Sequence, residues 1–134
     1  MPKEIVNPPE LVRPRGFNHG ILCSGGRVLF LAGQDASDAN GRIVAAGDVV
    51  AQYERVLGNL QAVVEAAGGT MADIVKLNIF VKDRDDYKSK LATLGRIHKQ
   101  YFGDYYPAMA LFEVTGFFQE DALIEMEGFA YLEE

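Results

Sequence analysis

Apolar positions along this chain follow two periods. From Val49 to Ala67 they recur at spacings of three and four, at Val49, Tyr53, Val56, Leu57, Leu60, Val63, Val64 and Ala67, which marks one face of an α-helix. Asp48 can cap the free amides at its start, and Gly68-Gly69 stops it where a left-handed residue closes a helix. Thr70 and Asp73 form a short capping pattern ahead of Val75–Lys82, where the period drops to two and Val75, Leu77, Ile79 and Val81 share one face of a strand. A second helix is expected from about Asp85 to Phe102. Tyr87, Leu91, Leu94, His98 and Tyr101 lie on its stripe, Asp85-Asp86 suits its positive end and Gly103 terminates it.

Two further apolar strands close the chain, Pro107–Val114 and Ala122–Leu132, with Thr115–Asp121 between them. The carboxylates Glu113, Glu125 and Glu127 interrupt these strands. A charge there must face water, be paired or be placed for chemistry, because burying it alone costs several kcal/mol.

The first third is less regular. Pro2, Pro8, Pro9 and Pro14 allow at most a short edge strand in the leader, which is expected to pack as an extended arm, and Arg15–Gly20 reads as a loop. Ile21–Ser24 and Arg27–Ala32, joined by Gly25-Gly26, predict a β-hairpin. Val28–Ala32 is apolar on both faces, which predicts a central strand covered on both sides. Gly33-Gln34-Asp35 ends it, and a turn at Asp38–Gly41 leads to a third strand at Arg42–Ala46.

The resulting order is β-β-β, α, β, α, β, β. This is an α+β fold with a mixed sheet of about six strands and two helices on one face. Residues such as Ala110 and Phe112 make the other face too apolar for water, so a symmetric homo-oligomer is expected.

Composition narrows the function classes. A chain of 134 residues with 49% hydrophobic and 24% charged residues suits one soluble globular domain, 1–134, with a single core. Nothing reaches the ~18 consecutive apolar residues of a membrane span, and Met1–Asn7 lacks the regions of a signal peptide, so a cytoplasmic location is expected. One cysteine and two histidines exclude an internal disulfide and the common zinc patterns. The net charge of -6, without a Lys/Arg cluster, argues against nucleic-acid partners.

Several stretches in register resemble the RidA/YjgF family of reactive-intermediate deaminases. They are Leu31-Ala32-Gly33-Gln34, Val56–Leu60 with Glu65–Gly68, Asp73–Lys76, Phe80–Asp83, Pro107-Ala108 with Glu113-Val114, and Asp121–Glu127. The resemblance implies a chorismate mutase-like fold assembled as a barrel-like homotrimer, with a small-molecule pocket in each intersubunit cleft. It also implies hydrolysis of imines and enamines to ketones and ammonia with no metal or cofactor. In deaminating members Pro-Ala precedes an Arg that holds the substrate carboxylate, a C-terminal Glu orients water, and a Tyr stands in an N-terminal Gly-Pro-Tyr motif. Here Met109 takes the Arg position, Phe17 the Tyr position and Leu111 a position often held by Cys, while Glu125 matches the water-orienting Glu. The fold carries over and the carboxylate anchor does not.

Glu125 is therefore the candidate catalytic residue. On an extended strand it shares a face with Leu123, Glu127, Phe129 and Tyr131, semi-apolar surroundings that raise a carboxyl pKa. A paired or solvent-facing strand carboxylate is the competing reading. Phe17, Gly33, Met109, Leu111 and Arg15 form the candidate binding set. Either Met109 and Phe17 line an apolar pocket for a ligand without a carboxylate, or Arg15 supplies the missing cation; Met109 also suits plain core packing. His19 in its glycine-flanked loop is a proton carrier or an ordinary hydrogen-bonded residue, His98 a satisfied core or interface histidine, and Cys23 a small hydrophobe. Three functions fit: a hydrolase of C=N bonds, a non-catalytic ligand-binding trimer, and the RNA cleavage or translation inhibition long attached to the family, which the acidic balance disfavours.

Overall fold

A computed structural model describes residues 3–133. Its strands are β1 (Lys3–Val6), β2 (Gly20–Cys23), β3 (Arg27–Gln34), β4 (Ile74–Val81), β5 (Ala108–Glu113) and β6 (Ile124–Leu132). Its helices are α1 (Val49–Ala66), α2 (Arg84–Lys88) and α3 (Leu91–Phe102), with a 3₁₀ turn at Met71–Asp73. None of the described helices is long and apolar enough to cross a membrane.

The long helix forms where the periodicity predicts it. The Asp48 carboxylate accepts from the Ala51 amide at 3.1 Å, and Gly68 turns the chain away with φ 90°. Val56, Leu57, Leu60 and Val64 are almost wholly buried against Ile74, Leu77, Ile124 and Met126 of the sheet. Each such side chain contributes about 1.5–3 kcal/mol on burial. Gln52 is buried among them with its amide satisfied. Its Nε2 donates to the Ala45 and Asp121 carbonyls, and its Oε1 accepts from Leu123 N at 2.8 Å, fixing the approach to β6.

The main sheet has the order β3-β6-β4-β5, with β6 antiparallel to both neighbours and β4 parallel to β5. Ile124, Met126, Gly128, Ala130 and Leu132 of β6 point to the helices and are buried. Gly128 crosses β4 so closely that any side chain would strike the Lys76 carbonyl.

Five expectations need correction. The Gly25-Gly26 hairpin does not form: β2 pairs with β1 in a separate two-stranded sheet, whereas β3 pairs with β6. Gly25-Gly26 is instead a corner between sheets. The Gly26 amide donates to the Tyr131 hydroxyl at 2.8 Å, and the Tyr131 ring fills the space a side chain would need. The proline-rich leader thus supplies the edge strand β1, tethered by an ion pair between Lys3 and Asp73.

The six strands therefore divide into four and two, linked by a bridge between Asn18 and Ala108. β3 is an edge strand, not a central one, and Val28 and Phe30 on it are exposed. Arg42–Ala46 is not a strand. Asp38 turns the chain by accepting from the Asn40 and Arg42 amides, leaving only a bridge between Ser37 and Ile43 before Ala45 enters the left-handed region at φ 55°.

The second helix is broken in two. It starts earlier than expected, at the cap Asp83, whose side chain accepts from Asp86 N. The break comes at Ser89-Lys90, where the Ser89 hydroxyl takes the Asp86 carbonyl.

The helices cover one face of the main sheet, as expected. On the other, Phe30 and Phe129 meet edge-on with ring centroids 5.3 Å apart, and Phe80 stacks on Phe112 at 5.5 Å. Phe30, Phe112 and Phe129 are exposed there.

Candidate active site

A cavity of ≈ 530 Å³ opens on the helix side of β5. The two-residue alternation of the strand turns Met109 and Leu111 into it, where they also pack against the core, while Phe112 points the opposite way onto Phe80. The loop Arg15–Phe17 forms the rim. It is clipped to the start of β5 by Asn18, whose backbone amide donates to the Pro107 carbonyl at 3.1 Å and whose side chain donates to the Tyr106 carbonyl at 2.6 Å. Arg15, Phe17, Met109 and Leu111 thus meet at one place. Arg15 is exposed at the mouth and Phe17 is half-buried.

Three tyrosines and a histidine complete the wall. Tyr53 of α1 and Tyr87 of α2 lie with ring centroids 6.3 Å apart, and Tyr106 precedes β5. Burial, reinforced by the neighbouring Tyr87 and Tyr106, lifts the Tyr53 phenol far above its ordinary range. Burial alone pushes Tyr87 up to about 12. Both phenols therefore stay protonated and are available to donate hydrogen bonds.

His98 is sandwiched between Phe102 and Tyr106, at centroid distances of 4.5 and 4.4 Å. Burial lowers its pKa, with the Tyr105 carbonyl pulling the other way. Neutral, it donates from Nε2 to that carbonyl at 3.0 Å. It is the satisfied histidine that the helix stripe predicts, and in addition it lines the cavity.

Tyr53 and Tyr87 were not singled out from sequence, where they read as core positions on two helix stripes. The available signal was chemical: a buried tyrosine on an otherwise aliphatic stripe needs a partner for its hydroxyl.

Glu125 lies elsewhere. It points to the uncovered face of the sheet, opposite Phe80 in the register, with β4 between its strand and that of Met109. It is half-buried, and its pKa is raised by burial first and then by Asp35 and Glu127. Its carboxylate lies over Gly33, in the space where a side chain on residue 33 would begin. The chain therefore gathers the candidate residues into two separate groups, Arg15, Phe17, Met109 and Leu111 on the helix side and Glu125 with Gly33 on the open face.

The remaining candidates are structural. Glu113 accepts from the Arg84 amide at 2.8 Å at the start of α2, and Glu127 is exposed near Asn78. His19 sits edge-on to Phe17, with Nε2 2.7 Å from the Val12 carbonyl, and holds the leader in place. Burial pushes the Cys23 thiol up, against a smaller opposing effect of Lys3, which does not make a nucleophile.

The Endoribonuclease L-PSP family matches residues 11–132 of this chain. A RutC family protein of Pyrococcus abyssi is 34% identical over 134 residues, covering 99% of this chain and 100% of its own. One of Pyrococcus horikoshii is 33% identical over 132 residues, covering 98% and 99%. Among solved structures, the conserved Rid family protein of unknown function from Yersinia pestis has a TM-score of 0.87 at 35% identity, over 98% of this chain and 100% of that one. The YjgF gene product of E. coli has a TM-score of 0.68 at 32% identity, over 93% of each chain.

Proposed function

This chain belongs to the Endoribonuclease L-PSP family, to which the Rid and YjgF proteins it resembles point, and from that premise we propose that it is a homotrimeric hydrolase of C=N bonds in substrates without a carboxylate. The observation that carries the reading is the pairing of two incomplete half-sites with an uncovered apolar sheet face. In this reading the faces bearing Phe30, Phe112 and Phe129 pack together, and Glu125 of one protomer meets the cavity mouth of the next.

Glu125 then holds a water over the substrate carbon and takes its proton as the water oxygen bonds to that carbon. Glu125 passes that proton to the nitrogen, giving a carbinolamine; the hydroxyl proton then follows by the same route as the C–N bond breaks, and a ketone and ammonia leave. A raised carboxyl pKa suits this role, since a base works best when its pKa approaches the working pH.

Met109 sets the substrate class. A guanidinium at that position would grip a carboxylate with two charge-assisted hydrogen bonds, and a thioether offers none. Ammonia release from freshly generated 2-iminopropionate is therefore expected to be weak or absent. A rate equal to that of an Arg-bearing relative refutes the reading.

A second reading keeps the trimer and drops turnover, favoured by the fact that the cavity is walled within one protomer without Glu125. Under it, Glu125→Gln leaves ligand affinity intact and removes no activity. RNA cleavage, which the family's name carries, fits poorly with a net charge of -6.

A further inference from the structure

The walls of the cavity say more about its guest than Met109 does. Tyr53 and Tyr87 are only 5% and 8% exposed. Neither hydroxyl has a hydrogen-bond partner among the described residues, yet none of the polar side-chain atoms sealed from solvent there lacks a partner. Both hydroxyls must therefore reach open space, and the open space beside them is the cavity. Two phenol donors thus face a chamber whose walls also carry Tyr106 and His98 and are otherwise largely apolar, with Leu94, Met109 and Leu111 among them. A donor that lines an apolar chamber is satisfied by whatever fills it, so the chamber favours a guest that supplies an acceptor.

Charge decides what kind of acceptor. Among the described residues Arg15 is the one cation in the lining, and it is exposed at the mouth. His98 is neutral, its Nε2 proton already given to the Tyr105 carbonyl. An anion drawn inside would lose its water with no buried counter-charge to replace it. A neutral carbonyl loses far less and regains it from the phenols. The volume, ≈ 530 Å³, falls within the range of small-molecule pockets.

We infer that this cavity binds an uncharged, largely apolar molecule through an sp² acceptor, a carbonyl oxygen or an imine nitrogen, that receives hydrogen bonds from Tyr53 and Tyr87. This names the substrate class of the proposed hydrolase and rests on that reading for turnover; binding rests on the cavity alone. Tyr53 and Tyr87 are then the residues that set specificity, Met109 and Leu111 the apolar seat.

The test uses the full chain with ¹³C-labelled methionine methyls, titrated with acetophenone, with benzoate, and with α-methylstyrene, which replaces the carbonyl oxygen by a methylene. Met109 reports the cavity, and the buried Met71 and Met126 report an intact core. Acetophenone is expected to move the Met109 signal saturably, with benzoate at least tenfold weaker. Tyr53→Phe and Tyr87→Phe each weaken acetophenone about fivefold and leave α-methylstyrene unchanged. If one of these variants disturbs Met71 or Met126, the other carries the test.

Equal affinity for benzoate, an unaltered preference for acetophenone in both variants, or no saturable Met109 shift overturns the inference. A protein that binds acetophenone as described yet releases no ammonia from any neutral imine upholds this inference and removes only the catalytic one.

Discussion

The Glu125 carboxylate occupies the space in which a side chain on residue 33 would start, so Gly33 and Glu125 fit together as a pair. Gly33 is not in the left-handed region, so space and not backbone conformation requires glycine there. Gly33→Ala should push the flexible carboxylate aside at little cost to the fold, below about 1 kcal/mol, because only the far end of a side chain must move. Ammonia release from a neutral imine should fall at least tenfold while the thermal midpoint shifts by only a few degrees. Unchanged turnover would detach Glu125 from the chemistry.

The raised pKa of Glu125 has two consequences with definite signs. The rate should rise with pH through a midpoint above the ordinary 4.5 and then level off, and Glu125→Gln should abolish it. In stability, the folded protein keeps this proton longer than the unfolded chain does. Stability is therefore lost as pH rises from the unfolded pKa through the folded one. Glu125→Gln should melt no lower than the parent at pH 7, and the difference should shrink toward pH 4. A variant clearly less stable at neutral pH would mean that the ionised carboxylate is paired.

Met109→Arg places a guanidinium in the cavity beside Leu111. One charge-assisted pair is worth about 1.5–3 kcal/mol, so kcat/KM for 2-iminopropionate should rise by about 10- to 100-fold. The variant should lose some stability through partial burial of the charge. No gain on the carboxylate substrate would show that position 109 is not the anchor site.

Phe30 and Phe129 meet edge-on on the uncovered face, and both are exposed. Phe30→Asp with Phe129→Asp should convert a trimer into monomers in sedimentation at micromolar concentration, since a charge on each facing patch removes the apolar contact. Turnover should vanish with assembly, while acetophenone still moves the Met109 signal. A double variant that remains trimeric places the interface elsewhere.

The sequence by itself determined α1, β4, β6 and the class of the fold. Helical and strand periods are local, and burial of one face follows from them whatever the partner. Strand partners were beyond it: Gly25-Gly26 has the chemistry of a hairpin, but β3 found its ladder in β6, with Arg27 opposite Leu132 at the far end of the chain. Long-range pairing is decided by total burial and not by a turn. Only the tertiary structure could place Met109 and Glu125 on opposite faces of one sheet, because the face a strand residue takes depends on what lies against it. Nor could any local pattern show that Tyr53 and Tyr87, on different helices, line one cavity.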